Sequence, residues 1–137
     1  MSSPRRSGGA TGSRLGNAAR VTLAAIRIFN GTMGLVAPAK TARRIGTPEG
    51  APLYPWRMFG VRTVLMGVDL LSSDPEVRRH ALRASVLVHG SDMISAAKAG
   101  FTRTLAPRAA LTATAISGLN VALALIASRD AWRRVPN

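Results

Sequence analysis

The run 109–128 sets the strongest limit on this chain: twenty consecutive residues carry no ionisable side chain. About 20 apolar or small residues are what an α-helix needs to cross the hydrocarbon of a bilayer. Three earlier apolar stretches carry charges near their middles, and they read as partner helices that turn those polar groups away from lipid. No strand-like alternation and no internal repeat competes with this reading. The expected fold is all-α: a four-helix antiparallel transmembrane bundle with short loops and a disordered N-terminal tail.

Punctuation along the chain places the helices. Residues 1–14 are basic and rich in Ser and Gly, with nothing to bury, so they are expected to be disordered. Residues 15–134 form one membrane domain, with spans at about 15–37, 55–73, 77–101 and 108–128. Pro38 stops the first span, and the basic segment 39–45 lies at the interface. Gly46, Pro48, Gly50 and Pro52 break any helix before Pro55, which suits a first helical turn. Asp74-Pro75-Glu76 is a tight connection whose acids suit the next helix N-terminus, and Ala106-Pro107 makes the last break. The first span is a poor signal-peptide core because Arg27 sits inside it.

A net charge of +13 over 137 residues first suggests nucleic acid. The distribution opposes that: basic residues punctuate every connection rather than gather on one face, and no nucleic-acid-reading motif accompanies them. Short basic loops between apolar spans are what anionic headgroups attract. On one side lie Arg5, Arg6, Arg14, Arg20, Arg78, Arg79, Arg83, Arg129, Arg133 and Arg134. On the other lie Lys40, Arg43, Arg44, Arg57, Lys98, Arg103 and Arg108. The excess on the first side places both termini in the cytoplasm, in a multi-pass protein of the cell membrane. Tyr54 and Trp56 fall at one interface and Trp132 at the other, as aromatic belts require.

Cysteine is absent, which excludes disulfides, thiol nucleophiles and thiolate metal sites. His89 and Asp92 are three apart, but no third ligand accompanies them, so no metal and no cofactor are expected. Ser85, Ser91 and Ser95 near His89 make no triad, and there is no phosphate loop. No catalytic residue is assigned.

What remains is a polar cluster inside the spans. With midpoints near residues 26, 64, 90 and 119 and a rise of about 1.5 Å per residue, Arg27, Arg62, His89, Asp92 and Asn120 share a depth within about one turn. On the first span Arg20, Arg27, Gly31 and Gly34 share a face, with Asn30 at its edge. Ser85, His89, Asp92 and Ala96 share one on the third, and Ala113, Ser117, Asn120 and Ala124 on the fourth. Such small-and-polar stripes pack inward in membrane bundles, as do the pairs Gly31/Gly34 and Gly60/Gly67. A charge at mid-bilayer costs about 2.5–3.5 kcal/mol on insertion scales. Asp92 is therefore expected in salt-bridge reach of Arg27 or Arg62, facing the interior with His89, Asn30 and Asn120. Asp69 with Arg20 or Arg83 is expected as a second ion pair.

The pattern Arg27-x-x-x-Gly31-x-x-Gly34-Leu35-x-x-Pro38, followed by Ala42-Arg43, Gly46, Gly60-x-Arg62-x-x-x-x-Gly67 and Asp92, resembles a widespread family of small four-span membrane proteins known only as a domain of unknown function. The resemblance covers roughly residues 20–125. It implies a four-helix membrane fold with Arg27, Arg62 and Asp92 as shared polar positions, while Asp69 stands outside the pattern. It implies no activity.

The functional expectation is a non-enzymatic binding or accessory protein with a buried Arg/Asp cluster. Its partners would be the bilayer with its anionic headgroups, other membrane helices or further copies of the chain, and a lipid-like ligand. The alternative is a membrane enzyme or carrier acting on a lipid-like substrate at Arg27, Arg62 and Asp92, with His89 and Asp92 as acid and base.

Overall fold

The computed structural model describes the backbone of residues 8–132 and the side chains of residues 14–129. The disorder expected for residues 1–7, the interfacial placement of Trp132, and the basic residues Arg5, Arg6, Arg133 and Arg134 lie outside that description. Five helices and no strand are found among the described residues: α1 (Gly8–Val36), α2 (Pro38–Arg44), α3 (Tyr54–Leu71), α4 (Pro75–Phe101) and α5 (Pro107–Trp132).

Each boundary has a local cause. Proline disfavours helical geometry in the residue before it, and Ala37 leaves the helical region at φ −131°, ψ 56° ahead of Pro38. The chain turns by 113° there, so α2 leaves the line of α1. The Thr41 hydroxyl donates to the carbonyls of Met33 and Ala37, both at 3.2 Å, across the break. Gly46 then adopts a left-handed φ of 77°, a conformation that ends many helices. Thr47 N–H closes back on the Ala42 carbonyl at 3.0 Å.

Asp74 caps α4 by accepting from Glu76 N–H at 2.8 Å, which satisfies one of the first-turn donors. Arg78 donates to the carbonyls of Ser72 and Ser73, both at 2.7 Å, and so staples the turn from α3 to α4. α1 begins at Gly8, inside the segment 1–14 expected to be a disordered tail. Once a helix exists, each further residue adds a hydrogen bond without a new nucleation cost, and a poor composition then matters less.

The four long helices pack as a ring in which α1 meets α3 and α5, and α4 meets α5 and α3. Neighbours are antiparallel. Gly31 lies against Gly60 and Val64, whereas Gly34 lies against Trp56, so the two chains run in opposite senses. In the same way Gly100 faces Ala110 while Gly118 faces Met93.

The α1/α3 contact is backbone on backbone. A Cβ added at Gly31 would stand 2.8 Å from the Gly60 carbonyl oxygen and from Val64 N, and one at Gly60 would stand 2.7 Å from the Gly31 carbonyl oxygen. Small residues at such crossings let dispersion and weak Cα–H contacts hold helices together where no hydrophobic drive exists. The packing role expected of Gly31, Gly34, Gly60 and Gly67 is what is found.

The buried core is small-sided and sits at one end. Ala19, Leu23 and Ala24 of α1 meet Leu70 of α3, Ala81 and Leu82 of α4, and Ala124 and Ala127 of α5. Toward the other end α4 has no fully buried residue after Ser85, and α1 turns its buried Gly31 and Gly34 to α3. The molecule is thus two helical hairpins, α1/α3 and α4/α5, sharing a core at the end that holds the α3–α4 turn.

Large apolar side chains lie outside. Phe101 is 89% exposed, Val36 78% and Leu87 74%, with Leu111, Ile94, Phe29 and Leu65 all well exposed. One helix, Pro107–Arg129, is long and apolar enough to cross a membrane, and only 22% of its apolar window is buried. The bent pair Arg14–Val36 and Pro38–Arg44 meets the same test taken together. α3 and α4 do not meet it, since Arg57, Arg62 and Asp69 lie in one and Arg83, Asp92 and Lys98 in the other.

The glycine contacts carry a prediction. Gly31→Ala or Gly60→Ala must push two backbones apart, and overpacking of this kind costs about 1–3 kcal/mol. Gly90→Ala meets nothing within 4 Å and should be neutral or slightly stabilising. Thermal unfolding in mild detergent reads the difference. Equal midpoints for all three variants would show that α1 and α3 are not in contact at these residues.

Candidate functional site

The polar layer begins where the shared core stops. On α1 Arg27 lies one turn beyond Ala24, and on α5 Asn120 lies one turn beyond Ala124 in the opposite chain direction, hence toward the same end. His89 stands one turn past Ser85, the last fully buried residue of α4. Arg27 is 2% exposed and Asn120 is 3% exposed.

Arg27 is held from behind. A Cβ added to Gly67 would come 3.2 Å from the Arg27 Cβ, so α3 presses directly on the root of this side chain. Its Nη1 donates to the Met66 sulfur at 3.2 Å, and a thioether is a weak acceptor. Nε and Nη2 are buried and have no hydrogen-bond partner among the described residues. Nor have His89 Nε2 and Asn120 Oδ1. Each such orphan costs about 1–3 kcal/mol in an ordinary interior, and more where the group is charged.

Charges gather around Arg27 without touching it. Asp92 lies within Coulombic range of both Arg27 and Arg62, as His89 does of Arg27. His89 Nδ1 stands 3.9 Å from Asp92 Oδ2, and the Asp92 side chain is 50% exposed. That distance is too long for a hydrogen bond.

The expected salt bridge from Asp92 to Arg27 or Arg62 is therefore not formed, and the Arg/Asp cluster is buried only at its Arg27 end. The reason lies in the faces. The inward stripe of α3 is Gly60, Thr63, Gly67 and Leu70. Arg62 and Asp69 each sit one residue before a member of that stripe, about 100° round the helix, and both are exposed. Asp92 does share the inward face of Ser85, but at that level α4 stays packed on α5, with Met93 against Gly118, and has little contact with α3.

Arg20 of the second expected pair turns to groups other than Asp69. Arg20 donates to the Leu70 carbonyl and, at 2.6 Å, to Asn17 Oδ1, while Asp69 points outward and Arg83 is exposed on α4. Arg20 thus ties the end of α3 to α1 through a backbone carbonyl, a contact that residue counting alone does not suggest. Asn30 is half-buried at the edge of the Arg27 face, as expected.

No group of three His, Cys, Asp or Glu side chains among the described residues is placed to hold a metal. A separate open groove of about 480 Å³ runs along the outer face of α1, lined by Val21, Ala25, Ile28, Phe29, Thr32 and Leu71. It is apolar throughout and holds none of the cluster. No family model, curated protein or solved structure matches the chain.

Stability should separate Arg27 from Asp92. Asp92→Asn is expected to change unfolding free energy by less than about 1 kcal/mol, as for other half-exposed groups without an ion-pair partner. Arg27→Met fills the same space without a charge, and such replacements are often neutral or stabilising. The midpoints of both variants in detergent test this. Loss of folded protein on Asp92→Asn would put the carboxylate back in an ion pair with Arg27.

Proposed function

We propose that this chain is a small multi-pass membrane protein, with four spans and both termini in the cytoplasm, that acts by binding rather than by chemistry. The observation that carries the reading is Arg27: a guanidinium buried in a bundle that exposes large apolar side chains, with one whole edge unbonded. Structural glue would bring its hydrogen bonds to closure, because unmet groups oppose the fold they are meant to specify.

The membrane part of the reading draws on three features. The helix contacts are built from glycine and alanine, as in lipid. Large apolar side chains are exposed on all four long helices. Arg57, Arg83 and Lys98 can reach an interface on long side chains, and Asp69 lies in the last turn of α3. α2, with Lys40, Arg43 and Arg44, suits a place on anionic headgroups where it turns from α1. The likeness in residues 20–125 to small four-span proteins of unknown function belongs to the same proposal.

The enzyme or carrier alternative has less support. His89 and Asp92 are 3.9 Å apart, and the nearby Ser85 and Ser91 hydroxyls donate to the carbonyls of Ala81 and Val88 rather than to either of them. The binding reading, to a lipid-like molecule or a partner helix, needs only the groups already in place.

The absence of cysteine makes topology directly testable. Single cysteines at Thr47 and Thr104 should react with a membrane-impermeant maleimide on intact cells. One at Ser73 should react only after permeabilisation. The protein should also stay with the pellet after a carbonate wash. Extraction by carbonate, or labelling of all three sites alike, would end the four-span reading.

A further inference from the structure

The buried edge of Arg27 has a definite shape. Nε–H and one Nη2–H lie in the guanidinium plane along one edge and point the same way, as a fork that matches two oxygens of one anionic group. Nη1, which points elsewhere, is occupied by Met66. The two orphaned donors are therefore one recognition edge rather than scattered omissions.

Charge points the same way. With His89 neutral, Arg27, Arg62 and Asp92 sum to one positive charge, and Asp92 is shared between two arginines without contact to either. A single negative charge completes the cluster.

Access is on the side where α3 and α4 separate. Arg62 and Asp92 are exposed there, and His89 keeps slight exposure beside Arg27. Leu65 of α3, within a turn of Arg62, is an exposed apolar side chain on one of the two helices that frame this side.

We propose that Arg27 receives a paired-oxygen oxyanion borne on an alkyl chain, entering laterally between α3 and α4, with Arg62 as the outer attracting charge. The inference rests on the membrane-binding reading above and names its ligand class. A carboxylate of a single-chain lipid and the phosphate of a lipid headgroup share this chemistry. His89 Nε2 and the Asn120 amide stand in the same layer to serve atoms around the anion.

The test is native mass spectrometry of the full chain from mild detergent, with oleate, oleyl phosphate and methyl oleate added in turn. One of the two anions should bind at least tenfold more tightly than the ester. A preference for oleate assigns a fatty-acid source and a preference for oleyl phosphate a headgroup source, and either result supports the site. Arg27→Gln should erase the preference, and Arg27→Lys, which has a charge but no fork, should recover only part of it. Asp92→Asn, which removes the competing carboxylate, should strengthen anion binding severalfold.

Equal binding of anion and ester, an unchanged preference in Arg27→Gln, or weaker anion binding in Asp92→Asn would overturn the proposal. If Arg27→Gln fails to fold, the Arg27→Lys and Asp92→Asn results decide alone. Should the protein stay in the carbonate-resistant pellet yet show no preference, this inference falls and the membrane reading stands. Extraction by carbonate would instead remove the reading on which it rests.

Discussion

The contact on which the structure depends is the meeting of two bare backbones, Gly31 of α1 and Gly60 of α3, with carbonyl oxygens where side chains would otherwise stand. It brings the backbones of α1 and α3 into contact, and Gly34 and Gly67 extend it over several turns. Because Gly67 presses on the Cβ of Arg27, the same crossing decides where that side chain must go. Its Nη1 meets Met66 of the same helix α3, and Asp92 and His89 of α4 lie in Coulombic range of it. The arginine is buried because its root is pinned, and the pin is made of glycine.

The second constraint is where the shared core ends. Leu23, Leu70 and Leu82 are deeply buried together at the end of the bundle that holds the α3–α4 turn, and alanines fill the rest. A bundle closed at one end by a three-residue connection and a tight core can be looser at the other without losing its topology. That looseness is what leaves Asp92 half-exposed although it lies on the inward face of α4. Polar residues in the layer between the closed and loose ends meet a graded environment, dry at Arg27 and Asn120 and open at Arg62 and Asp92.

Much of this was legible in the residues and some was not, for physical reasons. Pro38, Asp74-Pro75-Glu76 and Pro107 act through local sterics and capping, so helix ends followed directly. The small-residue stripes of α1 and α5 put Arg27 and Asn120 inside, as found. α3 offered two candidate faces seven residues in period, Gly60/Gly67 and Arg62/Asp69. Charge pairing drew Arg62 and Asp69 inward on paper, but packing chose the glycines because Gly31 and Gly34 oppose them. Asp92 failed differently: its angle was right, while the separation of α4 from α3 is a property of two helices that no single stripe encodes. The helical start at Gly8 was hidden by composition, since elongation from a formed helix tolerates residues that could never begin one.

Retention of Arg27 is the last point that needs a cause. A methionine or leucine there would fill the space between Met66 and α4 with no orphaned donors, and buried charges are commonly no better for stability than apolar residues of like volume. Stability therefore does not explain the residue. Register does not explain it either, because Gly31 and Gly60 already fix the crossing of α1 and α3 with backbone atoms. A buried guanidinium with two orphaned donors, beside carboxylate and imidazole groups that stop short of it, is the feature on which the proposed ligand site rests.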